Sequence, residues 1–246
     1  MHMAMAMVTK IMTDIHNHLL FGIDDGSKSI EDSIDVLKNM SEFGYKNVIL
    51  TPHYIRDSKY NSSREHNLAL MNTLQAALNE NNISINLYLG NEIFIDDDIV
   101  GLLESDEISS LNDTKYLLIE LPMTGVYDGY KEVLSDLIKR GYQVVLAHPE
   151  RYISFQKDFN KIYELESIGV IFQSNIDSLN GKYGNKALKT IKRLLKEKKI
   201  SYLATDIHHK KHDYDEWNVS KRKALKYISE EEYDYLVNIN PSKLIG

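Results

Sequence analysis

The sequence predicts an α/β protein in which seven strand-and-helix units close, or nearly close, into a barrel. Short β-rich runs alternate with segments of helical periodicity, and no Pro/Gly-rich linker or shift of composition divides the 246-residue chain. Strands that are joined through helices run parallel, because each connection crosses back over the sheet. An open, doubly wound sheet is the alternative arrangement of the same units.

The first unit has the clearest helix boundaries. A strand at 11–16 precedes a helix that begins at Ile30, where Ser29 is the candidate N-cap and Asp32 follows three residues later. Gly44 is expected to end this helix, since glycine readily adopts the left-handed conformation of a helix C-terminus.

The later units follow from the same periodicities. The second strand is predicted at 48–50, and the next helix is expected to begin with a capping box formed by Ser62 and Glu65. The remaining predicted strands are 85–89, 116–121, 143–147, 170–174 and 201–205, and the remaining predicted helices are 127–139, 159–167, 185–198, 216–228 and 230–237.

Composition excludes several classes of protein. Hydrophobic residues make up 43% of the chain, which supports a large core. No apolar run approaches the roughly 18 residues needed to span a bilayer, so we expect no membrane insertion. The net charge of −7 argues against broad binding to nucleic acid. The absence of cysteine excludes a thiolate nucleophile and fits the reducing cytoplasm, where we expect the protein to act.

The first ten residues are set apart from the fold. Their Met-rich repeat lacks the charged start of a signal peptide, so 1–10 are expected to be a leader or an artificial extension. Residues 11–246 are then expected to form one domain.

Two histidines stand at the end of the first predicted strand, in Asp14-Ile15-His16-Asn17-His18. His16 and His18 are two residues apart and project to the same side, and neutral imidazole is a common ligand for transition metals. The motif alone is weak, because alternate strand residues also share a face for ordinary packing.

Further ligand-type residues recur at the ends of later predicted strands. They are His53, Glu92, Glu120, His148, Asp206 and His208. The carboxyl ends of parallel strands meet at one rim of a barrel, so these side chains are expected to converge there. Each one alone would pass for an ordinary polar residue, but the set indicates a metal centre.

The chemistry of this set favours particular metals and one reaction class. Imidazole mixed with carboxylate, without sulfur, suits manganese, iron(II) or zinc. Eight ligands are too many for one ion, so two or three ions bridged by a carboxylate such as Glu92 are expected. Such clusters hydrolyse phosphoesters, and a bridging water that is deprotonated near neutral pH serves as the nucleophile.

Arg151 is the candidate substrate-binding and catalytic residue outside the metal set. It lies three residues beyond His148, near the same rim. A guanidinium can hold two phosphoryl oxygens and neutralise charge in the transition state. The alternative is a surface ion pair with Glu150 or Asp158.

Several sequence blocks, taken together, resemble the polymerase-and-histidinol-phosphatase (PHP) superfamily. The His-x-His block and Gly22-Ile23-Asp24-Asp25-Gly26 open the match, which is closest to the bacterial manganese-dependent tyrosine-protein phosphatases of capsule and exopolysaccharide clusters. Further blocks match in order: Thr51-Pro52-His53, Asn91-Glu92, Glu120-Leu121-Pro122, His148-Pro149-Glu150-Arg151-Tyr152, Gln173-x-Asn175 and Asp206-Ile207-His208. The resemblance covers about 13–241.

The resemblance implies a distorted (β/α)7 TIM-like barrel of the PHP type with three divalent ions, most often manganese. Three ligand groups follow from the matching motif positions: His16, His18, Glu92 and Asp206; Glu92, Glu120 and His148; and Asp25, His53 and His208. Asp25 enters only through the resemblance. The implied substrate is phosphotyrosine on the tail of a membrane-associated bacterial tyrosine kinase that regulates polysaccharide export.

Two other functions remain open at this point. One is a small-molecule phosphatase of the same superfamily, acting on histidinol phosphate or a similar metabolite. The other is a catalytically silent metal-binding partner of an export assembly. The basic segment His209-Lys210-Lys211-His212 is where substrate-side contacts are expected to vary.

Overall fold

The computed structural model describes residues 11–125, 129–208 and 215–246. Nine short strands lie within these ranges: β1 (Met12–Asp14), β2 (Tyr45–Leu50), β3 (His53–Tyr54), β4 (Asn86–Leu89), β5 (Glu92–Phe94), β6 (Tyr116–Glu120), β7 (Gln143–Ala147), β8 (Ile171–Asn175) and β9 (Tyr202–Ala204). The predicted leader, the start of the helix predicted at 127–139, and His209-Lys210-Lys211-His212 lie outside the described residues.

The strands follow seven paths around a distorted ring, which confirms the predicted fold class. One sheet has the order β1-β2-β4 and the other the order β3-β5-β6-β7-β8-β9, and every pairing is parallel. The first and last paths meet just beyond β1 and β9. There, His18 N donates to Ile207 O at 2.9 Å and Asp206 N donates to His16 O at 2.8 Å.

Two strand paths are broken, which the sequence patterns did not predict. The path of β2 resumes as β3 after Thr51-Pro52, and that of β4 resumes as β5 after Gly90-Asn91. Proline has no N–H to donate to a ladder, so Pro52 interrupts the pairing. His53 and Glu92 are therefore the first residues of the short strands β3 and β5, whereas the sequence predicts that each follows the end of a strand.

The described helices number ten, and most of the predicted helices are present with shifted ends. They are α1 (Ile30–Phe43), α2 (Arg64–Glu80), α3 (Ile99–Glu104), α4 (Tyr130–Lys139), α5 (Ile153–Lys157), α6 (Asn160–Ser167), α7 (Gly184–Lys196), α8 (Asp215–Ala224), α9 (Glu230–Asp234) and α10 (Asn240–Ser242). Short 3₁₀ turns cover Leu111–Asp113, Pro149–Arg151 and Ile176–Asn180, and a π-helical turn covers Tyr235–Ile239.

The caps of α1 agree with prediction and that of α2 does not. Ser29 accepts from Asp32 N, and Gly44 ends α1 in the left-handed region with φ 119°. The N-cap of α2 is Ser63, whose side chain accepts from His66 N, so the predicted capping box at Ser62 is wrong. Ser62 instead donates its hydroxyl to Asn67 Oδ1 at 2.6 Å.

Apolar side chains fill both faces of the strands. Leu117 and Ile119 belong to a large cluster shared with the helices, whereas Leu118 and Val145, which pair in register, belong to a smaller cluster on the enclosed face. Because successive strand residues point to opposite faces, this alternation packs the ring from outside and inside at once. Within the described ranges, no helix is both long and apolar enough to cross a membrane.

Candidate metal centre

The candidate ligands gather at the carboxyl-terminal rim of the ring. His53 and Glu92 begin β3 and β5, Glu120 ends β6, and His148 directly follows β7. His16 and His18 follow β1, and Asp206 and His208 follow β9. The structure brings all of them together with Asp25, which comes from the loop between β1 and α1.

Glu92 Oε2 lies at the centre of the cluster. Its distances are 3.2 Å to His16 Nε2, 3.2 Å to His18 Nε2 and 3.0 Å to His53 Nδ1. Asp206 Oδ1 approaches from another side, at 3.5 Å from His16 Nε2 and 3.4 Å from His18 Nε2. Four strand paths thus point ligand atoms into one small volume.

The second oxygen of Glu92 faces a different neighbour. Glu92 Oε1 lies 2.8 Å from His148 Nε2, and Glu120 Oε1 lies 3.7 Å from the same nitrogen. Glu120 Oε2 is also 3.7 Å from His53 Nδ1. The two oxygens of Glu92 therefore serve two adjacent groups, which is the geometry of a bridging carboxylate.

Asp25, His53 and His208 form the outer group of the cluster. Asp25 Oδ1 lies 3.6 Å from His53 Nε2 and 3.6 Å from His208 Nε2. The Asp25 side chain is 50% exposed, while those of His53 and His208 are 13% and 23% exposed. Among the described residues, this group is the most exposed part of the cluster.

Polar partners fix the imidazoles from behind. Gln173 Oε1 lies 2.8 Å from His16 Nδ1, and Asp24 Oδ2 lies 2.8 Å from His18 Nδ1. A hydrogen bond at Nδ1 leaves Nε2 as the nitrogen that faces the cluster, as is usual for metal-binding histidines.

The same kind of support holds Asp206. Asn175 Nδ2 donates to Asp206 Oδ2 at 2.5 Å, and Gln173 Nε2 donates to Asn175 Oδ1 at 2.9 Å. Both residues come from β8, which supplies no candidate ligand but orients ligands on the neighbouring paths. The sequence block Gln173-x-Asn175 contains both residues, but its pattern does not predict this orienting role.

Two of the candidate ligands have left-handed backbones. His148 has φ 32° and Asp206 has φ 50°, a region that non-glycine residues seldom adopt. Such conformations cost of order 1–3 kcal/mol and concentrate at functional sites. Here they turn the chain sharply at the ends of β7 and β9, so that both side chains face the cluster.

The buried carboxylates crowd one another. Burial, together with the charges of Glu92 and Asp206, holds the pKa of Glu120 well above its usual value. Burial acts in the opposite sense on the nearby imidazole and lowers the pKa of His148 to about 4. A neutral imidazole beside crowded carboxylates is the environment that a divalent cation stabilises.

Arg151 does not form the surface ion pair that was the alternative to a substrate-binding role. It pairs with neither Glu150 nor Asp158; its Nη1 donates to Asp206 Oδ2 at 2.8 Å. Glu150 instead lies buried and accepts from Asn175 N at 2.9 Å. Arg151 is therefore directed to the cluster, and its side chain remains 25% exposed.

The residues present fit a group of metal ions. His16 Nε2, His18 Nε2, His53 Nδ1 and Glu92 Oε2 are buried, and none of them makes a hydrogen bond within the described part of the chain. Buried polar atoms without a partner are costly, and several that converge on one point are satisfied together by a cation.

Asp24 is the supporting residue that sequence reasoning missed. Besides His18, its carboxylate accepts from Gly26 N at 2.9 Å and from His53 N at 3.1 Å. It thus ties the loop before α1 to two candidate ligands. The sequence signal for this role is the pair of adjacent carboxylates in Asp24-Asp25-Gly26.

The fold and this cluster define a class: a parallel α/β barrel with a candidate metal centre, lined by histidines and carboxylates, at its carboxyl-terminal rim. Residues 12–246 match the family described as "Capsular polysaccharide synthesis, CpsB/CapC". The chain belongs to this family.

Individual relatives agree with the family match. The chain is 32% identical to CapC of Staphylococcus aureus, over 80% of this chain and 77% of the relative. It is 31% identical to the tyrosine-protein phosphatase YwqE of Bacillus subtilis (strain 168), over 90% of this chain and 85% of the relative.

A solved structure matches nearly the whole chain. It comes from work on YwqE of Bacillus subtilis and CpsB of Streptococcus pneumoniae, described there as unique metal-dependent tyrosine phosphatases. The TM-score is 0.87 at 29% identity, and the match covers 95% of this chain and 94% of the other. This agreement confirms the predicted resemblance.

Proposed function

We propose that this protein is a metal-dependent protein-tyrosine phosphatase that holds three divalent ions, with manganese preferred to iron(II) or zinc. The observation that carries the proposal is the convergence of three buried imidazole nitrogens on Glu92 Oε2, with none of these four atoms hydrogen-bonded among the described residues. The family match and the names of the relatives support the same activity.

The proposed ligands fall into three groups, of which the first two share Glu92. The first group is His16, His18, Glu92 and Asp206; the second is Glu92, Glu120 and His148; and the third is Asp25, His53 and His208. Their support is the set of distances of 2.8–3.7 Å between the facing atoms. His53 Nδ1 lies 3.0 Å from Glu92 Oε2, which supports a third group adjacent to the first.

The protein's own residues would bind and orient the phosphoryl group. When bound, the ions would offset phosphoryl charge and lower the pKa of a water molecule. Arg151 would hold phosphoryl oxygens through its guanidinium and stabilise charge that develops in the transition state. Tyrosine has a pKa of about 10, so tyrosinate leaves without a strong general acid.

The proposed substrate is phosphotyrosine on the tail of a membrane-associated bacterial tyrosine kinase that regulates polysaccharide export. The family description, which concerns capsular polysaccharide synthesis, supports this choice. We further propose that the protein acts in the cytoplasm and that 11–246 form one domain, whereas 1–10 are a leader or an artificial extension.

The test combines metal analysis with hydrolysis of p-nitrophenyl phosphate. The manganese-loaded protein is expected to be active, to lose activity on chelation and to regain it with manganese. Glu92→Ala should lose both metal and rate, whereas Arg151→Ala should keep its metal and lose rate. Glu42→Ala and Arg140→Ala, at exposed positions on α1 and next to α4, are the matched controls.

Substrate class is tested separately, with a phosphotyrosyl peptide and histidinol phosphate assayed side by side. A marked preference for the peptide is expected. A preference for the metabolite would replace the protein-phosphatase assignment with a small-molecule phosphatase. A manganese-loaded protein that hydrolyses nothing at neutral and alkaline pH would instead be a metal-binding partner without catalytic activity.

A further inference from the structure

Arg151 has a fixed backbone and a long side chain that is partly exposed. Its N–H donates to His148 O at 2.9 Å within the 3₁₀ turn Pro149–Arg151. A side chain with this many rotatable bonds loses considerable entropy when it is held in one position. Contacts around the guanidinium therefore decide whether Arg151 is ready to receive a phosphoryl group.

Two residues hold the guanidinium from different directions. Asp206 Oδ2 accepts from Nη1 at 2.8 Å, in the plane of the group. The ring of Tyr183 packs with its centroid 4.4 Å from Cζ. A guanidinium can stack on an aromatic ring while it donates hydrogen bonds in its own plane, so the two contacts are compatible.

The backbone around Tyr183 brings its ring to the rim. Tyr183 precedes α7 and lies between Gly181 and Gly184, whose φ angles are 84° and 86°. Gly184 N donates to Gly181 O at 2.9 Å, which closes this turn. Both glycines occupy the left-handed region of backbone conformation, which residues other than glycine seldom adopt.

Tyr183 also contacts the network that orients Asp206. Asn175 Nδ2 lies 3.4 Å from Tyr183 Oη and 2.5 Å from Asp206 Oδ2. Lys182 places its ammonium 5.5 Å from the centroid of the same ring. The hydroxyl contact is long, so the ring face is the part of Tyr183 that bears directly on Arg151.

We propose that Tyr183 is a positioning residue for Arg151: its ring holds the guanidinium in the orientation that receives the phosphoryl group. This inference rests on the proposed phosphatase function. Among the described residues, the hydroxyl of Tyr183 is hydrogen-bonded to Asn175 and not to a proposed ligand atom, so we expect its effect on rate to pass through Arg151 and metal binding to stay unchanged.

The test is a double-mutant cycle on the manganese-loaded protein, with p-nitrophenyl phosphate as substrate. Tyr183→Leu is expected to lower kcat/KM by roughly 5- to 20-fold, the range for a partly desolvated cation–π contact. Tyr183→Phe keeps the ring and should stay within about 2-fold of wild type, because the lost hydroxyl contact is long. In an Arg151→Ala background, Tyr183→Leu should cause no further loss.

Two controls separate positioning from general damage. Manganese content and melting temperature are measured for each variant. Phe159→Leu removes a ring just before α6 whose centroid lies 3.8 Å from Cζ of Arg193 on α7, a comparable cation–π contact, and should leave the rate unchanged.

Each outcome decides between the proposals. An additive loss in the double variant, an equal loss in Tyr183→Phe, or full activity in Tyr183→Leu overturns the role of Tyr183 and leaves the phosphatase function in place. If Tyr183→Leu does not fold, a large loss in Tyr183→Phe still overturns the role of the ring, since it assigns the effect to the hydroxyl. A wild-type protein that hydrolyses no phosphate ester overturns both proposals.

Discussion

Asp24 Oδ2 lies 2.8 Å from His18 Nδ1 and leaves His18 Nε2 to face Glu92. Burial alone would raise the pKa of Asp24, but the charge of His18 and the hydrogen bonds to this carboxylate lower that pKa to about 2. Asp24 therefore remains an anion at neutral pH and keeps the His18 proton on Nδ1. A residue without a ligand role thus determines which nitrogen is offered to metal.

Asp24→Asn should weaken manganese binding by roughly 10- to 100-fold, the usual cost of losing such a supporting carboxylate. The change preserves size, so the loss reports the interaction with His18. Titration calorimetry of the metal-free protein measures it, with the exposed Asp35→Asn on α1 as control. Equal affinities in the two variants would contradict a supporting role for Asp24.

Metal removal should lower thermal stability, because the crowded carboxylates around Glu92 then repel one another without a cation. A ligand at about 100 times its Kd adds about 2.7 kcal/mol per site, which corresponds to roughly 5–10 °C in a chain of this size. Melting curves before and after chelation measure the shift, and manganese should reverse it. The melting temperature of Glu92→Ala should change little on chelation or on addition of manganese. A shift as large as that of wild type would contradict the role of Glu92 as a shared metal ligand.

Asp14 should make the stability of the metal-free protein depend on pH. Burial outweighs the hydrogen bonds from Thr205 and Asn17 and raises the pKa of Asp14 from 3.8 to about 6. The folded state therefore binds this proton more tightly than the unfolded state. The contribution of Asp14 to the free energy of unfolding is fully present below about pH 4. It falls by roughly 3 kcal/mol as the pH rises through about 6.

Urea unfolding of wild type and Asp14→Asn between about pH 4 and 7 measures this dependence, with chelator present throughout. The variant loses hydrogen bonds to Thr205 and is expected to be less stable at the acid end. That deficit should shrink as the pH rises, since the asparagine does not ionise. Asp35→Asn controls for net charge, and a deficit that stays constant would contradict the raised pKa of Asp14.

The positions of most candidate ligands could be predicted because strand ends are recognisable from hydrophobic runs. His148 directly follows the run 143–147, and Asp206 directly follows 201–205. The breaks at Thr51-Pro52 and Gly90-Asn91 could not be predicted in the same way, since pairing with a second sheet depends on neighbouring strands. Their effect on the site is small because each broken path continues to the same rim.

Side-chain direction within a loop was beyond the reach of sequence patterns. Asp24 and Asp25 are adjacent carboxylates, yet Asp24 is buried behind His18 and Asp25 is half exposed in the outer group. The choice depends on how the loop folds back, with Ser27 N donating to His18 O at 3.0 Å. Periodicity carries no information about such a contact. The resemblance to a known family supplied Asp25, and the structure supplied Asp24.

Gly26→Ala should disrupt the outer group without unfolding the barrel. A Cβ at Gly26 would lie 1.9 Å from His18 O, which is backbone and cannot move without displacing His18. The loop that carries Asp24 and Asp25 would shift, so we expect less than the full complement of manganese per chain and at least a 10-fold lower kcat/KM. Metal analysis and p-nitrophenyl phosphate hydrolysis measure the two effects.

Gly169→Ala, at a left-handed position after α6 with φ 100°, is the control: it should lower stability but keep full metal content and rate. Full occupancy and activity in Gly26→Ala would mean that the loop before α1 does not hold the outer group.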